Sequence, residues 1–215
     1  MKKIILSLVS VMFLISTASA EIGVNIGVSG TTALFAATGS ETNSSITVED
    51  SDTEIGAGGY GSVFFEKELG KFAVGVDFTP NVFETDTAET AKQDQRTENS
   101  DAVTVSTNKV QVDFENMYNL YAAFNVTDNM YVKAGMLTVD VITNEDLGTG
   151  SAYGNTTLDG TSIGVGYHKE VGALFVRLEG QYMSFDGVSL TSADNTIKLK
   201  NLDGVTGTVS IGKSF

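Results

Sequence analysis

The sequence predicts an all-β protein, a closed antiparallel up-and-down transmembrane β-barrel of about eight strands. Three observations predict this fold: an export signal at the N-terminus, apolar residues that alternate with polar ones along the rest, and short turns that alternate with long polar connections. Successive side chains of a strand face opposite sides of its sheet, so a period of two is typical of strands with one apolar face.

The N-terminus has the three parts of a secretory signal peptide. Lys2 and Lys3 form a basic start, residues 4–15 form an apolar run, and 17–20 are the small residues of a cleavage site. The apolar run is shorter than the roughly 20 residues that a transmembrane helix needs. We therefore expect residues 1–20 to be a cleaved signal peptide and residues 21–215 to form a single barrel domain.

Alternating hydrophobicity divides the mature chain into an even number of strand-like segments. These segments are 21–36, 55–66, 72–83, 108–125, 130–142, 160–168, 173–185 and 197–215. Three connections are short (67–71, 126–129 and 169–172), and four are long and polar (37–54, 84–107, 143–159 and 186–196). This strict interleaving places both termini and the short turns at one end of the barrel, and the long loops at the other.

The same alternation separates an apolar face from a polar one. Residues expected to face lipid are Val74, Val76, Val112, Leu120, Val165, Val176 and Ile211. Asp140 falls on the apolar phase of its segment, so we expect a bulge near Gly135 that re-phases Leu137, Val139 and Val141.

Aromatic residues of the apolar face cluster beside the short turns, as in the girdle of a membrane barrel. They are Phe65, Phe72, Phe124, Tyr167 and Phe215. A soluble lipocalin-like barrel would instead turn its apolar face toward the lumen. The girdle favours the membrane barrel.

Six charged residues fall on the polar face and are expected to share the lumen as a charge network. They are Asp77, Asp113, Glu115, Lys133, Arg177 and Glu179. The lumen of an eight-stranded barrel is just filled by its own side chains, and unpaired charges in it are costly. We expect ion pairs that plug the lumen; a conducting pathway is the alternative.

The chain is strongly acidic, with a net charge of −14, and most of the acidic excess lies in the long connections. Nucleic-acid binding is excluded because phosphate contacts need Lys and Arg. The alternating carboxylates Asp50, Asp52 and Glu54 are a weak candidate for Ca²⁺, although no Gly follows at an EF-hand position. Solvated loops that repel other copies are the simpler interpretation of this charge, and Ca²⁺ binding is the alternative.

Signals of an enzyme are poor. His168 is the one histidine and falls beside a short turn, and the chain has no cysteine. A His-based triad and a zinc site are therefore both disfavoured. We expect neither catalysis nor a cofactor.

The signal peptide at 1–20, the eight segments, the three short turns and the terminal Phe215 together resemble the small outer-membrane β-barrel superfamily, the OmpA/OmpX-like, porin-family barrels. The resemblance implies a monomer in the outer membrane of a Gram-negative cell, with outer-membrane lipid and lipopolysaccharide as partners. It also implies that the barrel-assembly machinery reads Phe215 as its signal. It carries over no catalytic residue.

We expect a structural or surface-interaction role with acidic extracellular loops and a plugged lumen. The alternatives are a porin-like channel for small solutes or ions, and a soluble lipocalin-like ligand-binding barrel.

Overall fold

The structure is a computed structural model that describes residues 23–43, 46–85, 88–94, 104–146, 153–172, 174–192 and 195–215. The expected signal peptide at 1–20 lies outside these residues. Within them, the chain forms ten strands. Their bounds are β1 Val24–Asn43, β2 Ile46–Leu69, β3 Phe72–Glu84, β4 Ala88–Asp94, β5 Thr104–Asn125, β6 Met130–Asp146, β7 Thr156–Val171, β8 Leu174–Phe185, β9 Val188–Ser192 and β10 Asn195–Ser214.

Eight of these strands close an antiparallel barrel, so the predicted fold class is confirmed. Their order is β1-β2-β3-β5-β6-β7-β8-β10, and β10 pairs back onto β1 from Asn25↔Ser214 to Asn43↔Asn195. The short strands β4 and β9 pair with β5 and β10 only and continue the wall beyond β3 and β8. No helix long and apolar enough to cross a membrane occurs in the described part of the chain.

The strands extend further at the loop end than the sequence predicted. The segment 37–54 was expected to be a loop, but β1 continues to Asn43 and β2 begins at Ile46, paired through Thr38↔Thr53 and Ser40↔Ser51. The polar composition of 37–54 indicates that this part of the chain faces water. It does not locate the strand ends, because the paired strands continue beyond the apolar band. Similar extensions occupy parts of the expected loops 84–107, 143–159 and 186–196.

A bulge lies in β5 at Asn116, and the bulge expected near Gly135 is wrong. The register of β5 against β6 shifts between Glu115 and Tyr118, and Asn116 has a φ of 51°. Asparagine is one of the few residues that adopt this left-handed conformation at low cost. β6 itself pairs with β7 without a shift, so Leu137, Val139 and Val141 stay on its inner face.

The outer face of the barrel carries a band of exposed apolar side chains. The band includes Ile26, Val28, Leu34, Val63, Phe72, Met136, Ile163, Val165, Tyr167, Leu178, Tyr182, Val205, Val209 and Ile211. Of the residues predicted to face lipid, Val165 and Ile211 are exposed, and Val74, Val76, Leu120 and Val176 are half-buried. Val112 is the exception, because the bulge at Asn116 turns it into the lumen, where it lines a cavity.

Candidate functional site

The inner wall is shaped by glycines that lie directly opposite aromatic residues of the neighbouring strand. The pairs are Gly27–Phe64, Gly75–Tyr121, Gly160–Phe185, Gly166–Tyr131, Gly204–Phe35 and Gly212–Phe175. In each pair the ring fills the space that a Cβ on the glycine would need. The glycines therefore let large rings lie against the wall, which leaves the axis of the barrel to other side chains.

Arg177 forms a bidentate ion pair with Glu66 in the half of the lumen near the short turns. Its Nη1 donates to Oε2 at 3.0 Å and its Nη2 donates to Oε1 at 2.6 Å. Glu66 also accepts hydrogen bonds from Asn25 Nδ2 at 2.9 Å and from the Tyr121 hydroxyl at 3.0 Å. Both charged side chains are almost completely buried. This geometry is the strong bidentate form of an arginine–carboxylate pair.

Lys133 forms a second centre next to the first one. Its Nζ donates to Asp77 Oδ2 at 3.0 Å and to Glu179 Oε1 at 3.2 Å, and it lies 3.8 Å from the centroid of the Tyr121 ring. Tyr121 thus touches both centres. We call Glu66, Asp77, Lys133, Arg177 and Glu179 the ionic layer; it connects β2, β3, β6 and β8 across the lumen.

Four of the six residues predicted for the charge network, Asp77, Lys133, Arg177 and Glu179, lie together in the ionic layer. Asp113 and Glu115 do not reach it, so the prediction that they share the lumen is wrong. Above the bulge at Asn116 the inner face of β5 is formed by Val112 and Phe114, so the two acids face outward. Asp113 instead accepts a hydrogen bond from Asn144 Nδ2 at 2.5 Å.

Glu66 is the member of the ionic layer that sequence reasoning missed. It was placed at the last position of a predicted strand, where the polar turn begins. In the structure Glu66 and Arg177 both lie on the inner face, three residues from the turn-end limits of their strands at Leu69 and Leu174. The predicted turn at 67–71 hides this match, because it places Glu66 beside the turn and Arg177 five residues from the turn at 169–172.

His168, the one histidine of the sequence, forms a hydrogen bond with Arg177. Nδ1 of His168 accepts a hydrogen bond from Arg177 Nε at 3.2 Å, and its ring lies 4.9 Å from that of Phe175. A cavity of about 510 Å³ opens beside these residues at the turn end, with Glu66, Glu68 and Glu170 in its wall. This cavity gives solvent a route to the turn-end side of the ionic layer.

The loop-end half of the lumen is apolar. A cavity of about 540 Å³, which we call the apolar basin, has walls that include Phe35, Val82, Phe114, Val139, Leu158 and Phe185. Leu137, Val139 and Leu158 are almost completely buried on this inner face. The lumen thus changes from charged to apolar along the barrel axis, a division that the sequence analysis did not predict.

The described residues do not support the weak candidate for a Ca²⁺ site at Asp50, Asp52 and Glu54. The side chains of Asp50 and Asp52 lie outside the described ones, and Glu54 lies in the wall of the apolar basin. Among the described residues, no group of three His, Cys, Asp or Glu side chains is placed to hold a metal ion.

Comparisons with known proteins identify the fold. No protein-family model matches the chain, and no curated protein matches it in sequence. Among solved structures, the outer membrane protein OprG from Pseudomonas aeruginosa is similar with a TM-score of 0.54 and 11% identity, over 92% of this chain and 98% of that one. The outer membrane protease OmpT from Escherichia coli aligns over 93% of this chain and 100% of its own, with a TM-score of 0.47 and 9% identity. The chain has the fold of the small outer-membrane β-barrels.

Proposed function

We propose that the protein is a non-conducting barrel of the bacterial outer membrane with a structural or surface-interaction role. The observation that carries this proposal is the ionic layer. Arg177 on β8 reaches Glu66 on β2, nearly across the barrel, and Lys133 on β6 joins Asp77 on β3 to Glu179 on β8. These buried bridges occupy the cross-section that a solute would have to pass.

Placement in the outer membrane is supported by the outer face. Apolar side chains cover it, and the exposed rings of Phe72, Phe124, Tyr167 and Phe215 lie at the turn end. Such a band with an aromatic border is typical of barrels that span a bilayer. The turn end then faces the periplasm and the loop end faces the outside.

The proposal includes the partners expected from the sequence. Outer-membrane lipid would contact the apolar band, and lipopolysaccharide would meet the acidic loop end through divalent cations. Phe215 would be read by the barrel-assembly machinery; its backbone N–H and C=O both pair with Val24, so the same residue also completes the closing seam. No catalytic step is part of the proposal.

Conductance across planar lipid bilayers tests the plug. We expect the unmodified protein to show no steady current. A variant with Lys133→Ala and Arg177→Ala, which removes the cation of each bridge, should conduct and would show that the protein inserts. Large, stable currents from the unmodified protein would refute the proposal and favour the porin-like channel.

A further inference from the structure

Most of the apolar basin lies beyond the outer edge of the apolar band, and its floor, which includes Phe35, reaches the level of Leu34 at that edge. Along β10, the lipid-facing residues Ile211, Val209 and Val205 are followed by Asp203, and the wall of the basin begins at Leu202. Asp203 accepts a hydrogen bond from the Tyr182 hydroxyl at 2.9 Å on the outer face. A carboxylate on the outer face marks the end of the hydrocarbon region, because a charge within it would be costly.

Strands β6 and β7, which pair with each other, have the same boundary. On β6, Asp140 lies on the outer face directly after Val139 of the basin, and it accepts a hydrogen bond from the Thr157 hydroxyl at 3.1 Å. On β7, exposed Asp159 follows Leu158 of the basin. Three acids on three strands thus place the basin in the part of the barrel that projects outward from the bilayer.

This position makes the apolar lining unusual. The part of a barrel that projects into water does not need an apolar cavity for its stability. Polar side chains could fill that interior and bind water there. Here the rings of Phe35, Phe83 and Phe185 lie against glycines of the wall, which leaves the space at the centre of the barrel open. The Phe83 ring packs over Gly56 and Gly58. A volume of about 540 Å³ lies within the range of about 300–1,000 Å³ that is typical of small-molecule sites.

We infer that the apolar basin binds a neutral apolar small molecule, of the size of a two- or three-ring aromatic compound, that enters from the water outside the cell. Among the described residues of the wall, Glu54 is the one with a charge, so an anionic ligand is disfavoured. Most of the wall is apolar, so water in the basin finds few hydrogen-bond partners and an apolar guest can displace it. The inference goes beyond the proposed function, which assigns no ligand to the lumen. The ionic layer below the basin would keep the bound molecule at the loop end.

Binding of N-phenyl-1-naphthylamine, a neutral fluorescent aromatic probe, tests the inference. The full protein in lipid nanodiscs should show one saturable site above the linear partitioning that empty nanodiscs give. Val139→Phe with Leu158→Phe fills the basin and should weaken this binding by about tenfold or more. Val165→Phe adds a ring to the lipid-facing surface instead and should leave it unchanged. Partitioning without saturation, or equal binding by the filled variant, would overturn the inference.

A second measurement does not depend on the filled variant folding. The chain has no cysteine, so Ala37→Cys in the wall of the basin and Ser189→Cys on the exposed strand β9 give single thiols. The probe should slow maleimide labelling of Ala37→Cys and leave that of Ser189→Cys unchanged. Slow labelling of Ala37→Cys before any probe is added would show that bilayer acyl chains or the chain's own loops fill the basin, which would also overturn the inference. Neither assay measures a current, so a negative result here would leave the proposed non-conducting barrel untouched. A conducting barrel would likewise leave the binding result untouched.

Discussion

Replacing Arg177 by alanine is the most direct test of how the lumen stabilises the barrel. Glu66 would lose the two hydrogen bonds of the ion pair and keep those from Asn25 and Tyr121. Breaking a buried ion pair from one side costs about 3–5 kcal/mol, because the remaining charge stays buried. The cavity at the turn end lets water approach Glu66. We therefore expect a loss of free energy of unfolding at the lower end of that range, about 3 kcal/mol.

Urea unfolding in lipid vesicles, followed by the heat-modifiable gel mobility of the folded barrel, measures this loss. Lys169→Ala is the matched control, since it removes an exposed cation from the wall of the same cavity. Glu66→Gln combined with Arg177→Met removes both charges and should recover most of the stability. If Arg177→Ala unfolds at the same urea concentration as Lys169→Ala, the reasoning about the ionic layer is wrong.

Three further variants test the wall, the bilayer-facing surface and the bulge in the same unfolding assay. Gly75→Ala places a Cβ 2.5 Å from the ring of the tyrosine opposite and should cost about 1–3 kcal/mol, whereas Gly30→Ala meets nothing within 4 Å and should be tolerated. Ile163→Arg, in the middle of the exposed band, should cost about 2–4 kcal/mol, whereas Val171→Arg at the turn-end rim should cost no more than about 1 kcal/mol. Asn116→Val should destabilise by about 1–2 kcal/mol because a β-branched residue resists positive φ, whereas Asn116→Gly should be neutral or better. Equal stability within any of these pairs would contradict the corresponding argument.

The barrel was predictable from the sequence because its determinants are local. A period of two and the lengths of the connections follow from strand geometry and from the difference between lipid and water. The interior was harder to predict, because one unseen residue in β5 reverses every position beyond it. Asn116 is a polar residue on the apolar phase of β5, but the alternation is regular on both sides of it and does not reveal the register shift. The sequence pattern therefore assigns Val112 to lipid and Asp113 and Glu115 to the lumen. Asp140 marks the outer boundary of the band, and treating it as a mid-membrane residue led to the bulge expected near Gly135.

The glycine–ring pairs have a consequence for how the barrel closes. Six of the eight pairings between neighbouring barrel strands contain one such pair, and the exceptions are β2–β3 and β5–β6. A slip of one residue would turn a ring toward lipid, and a slip of two would press it against a neighbour that has a Cβ or leave the glycine uncovered. Each pair therefore makes one alignment of its two strands preferable to the adjacent ones. While strands are added during assembly, incorrect alignments would be rejected one strand pair at a time, before the final contact between β1 and β10 forms.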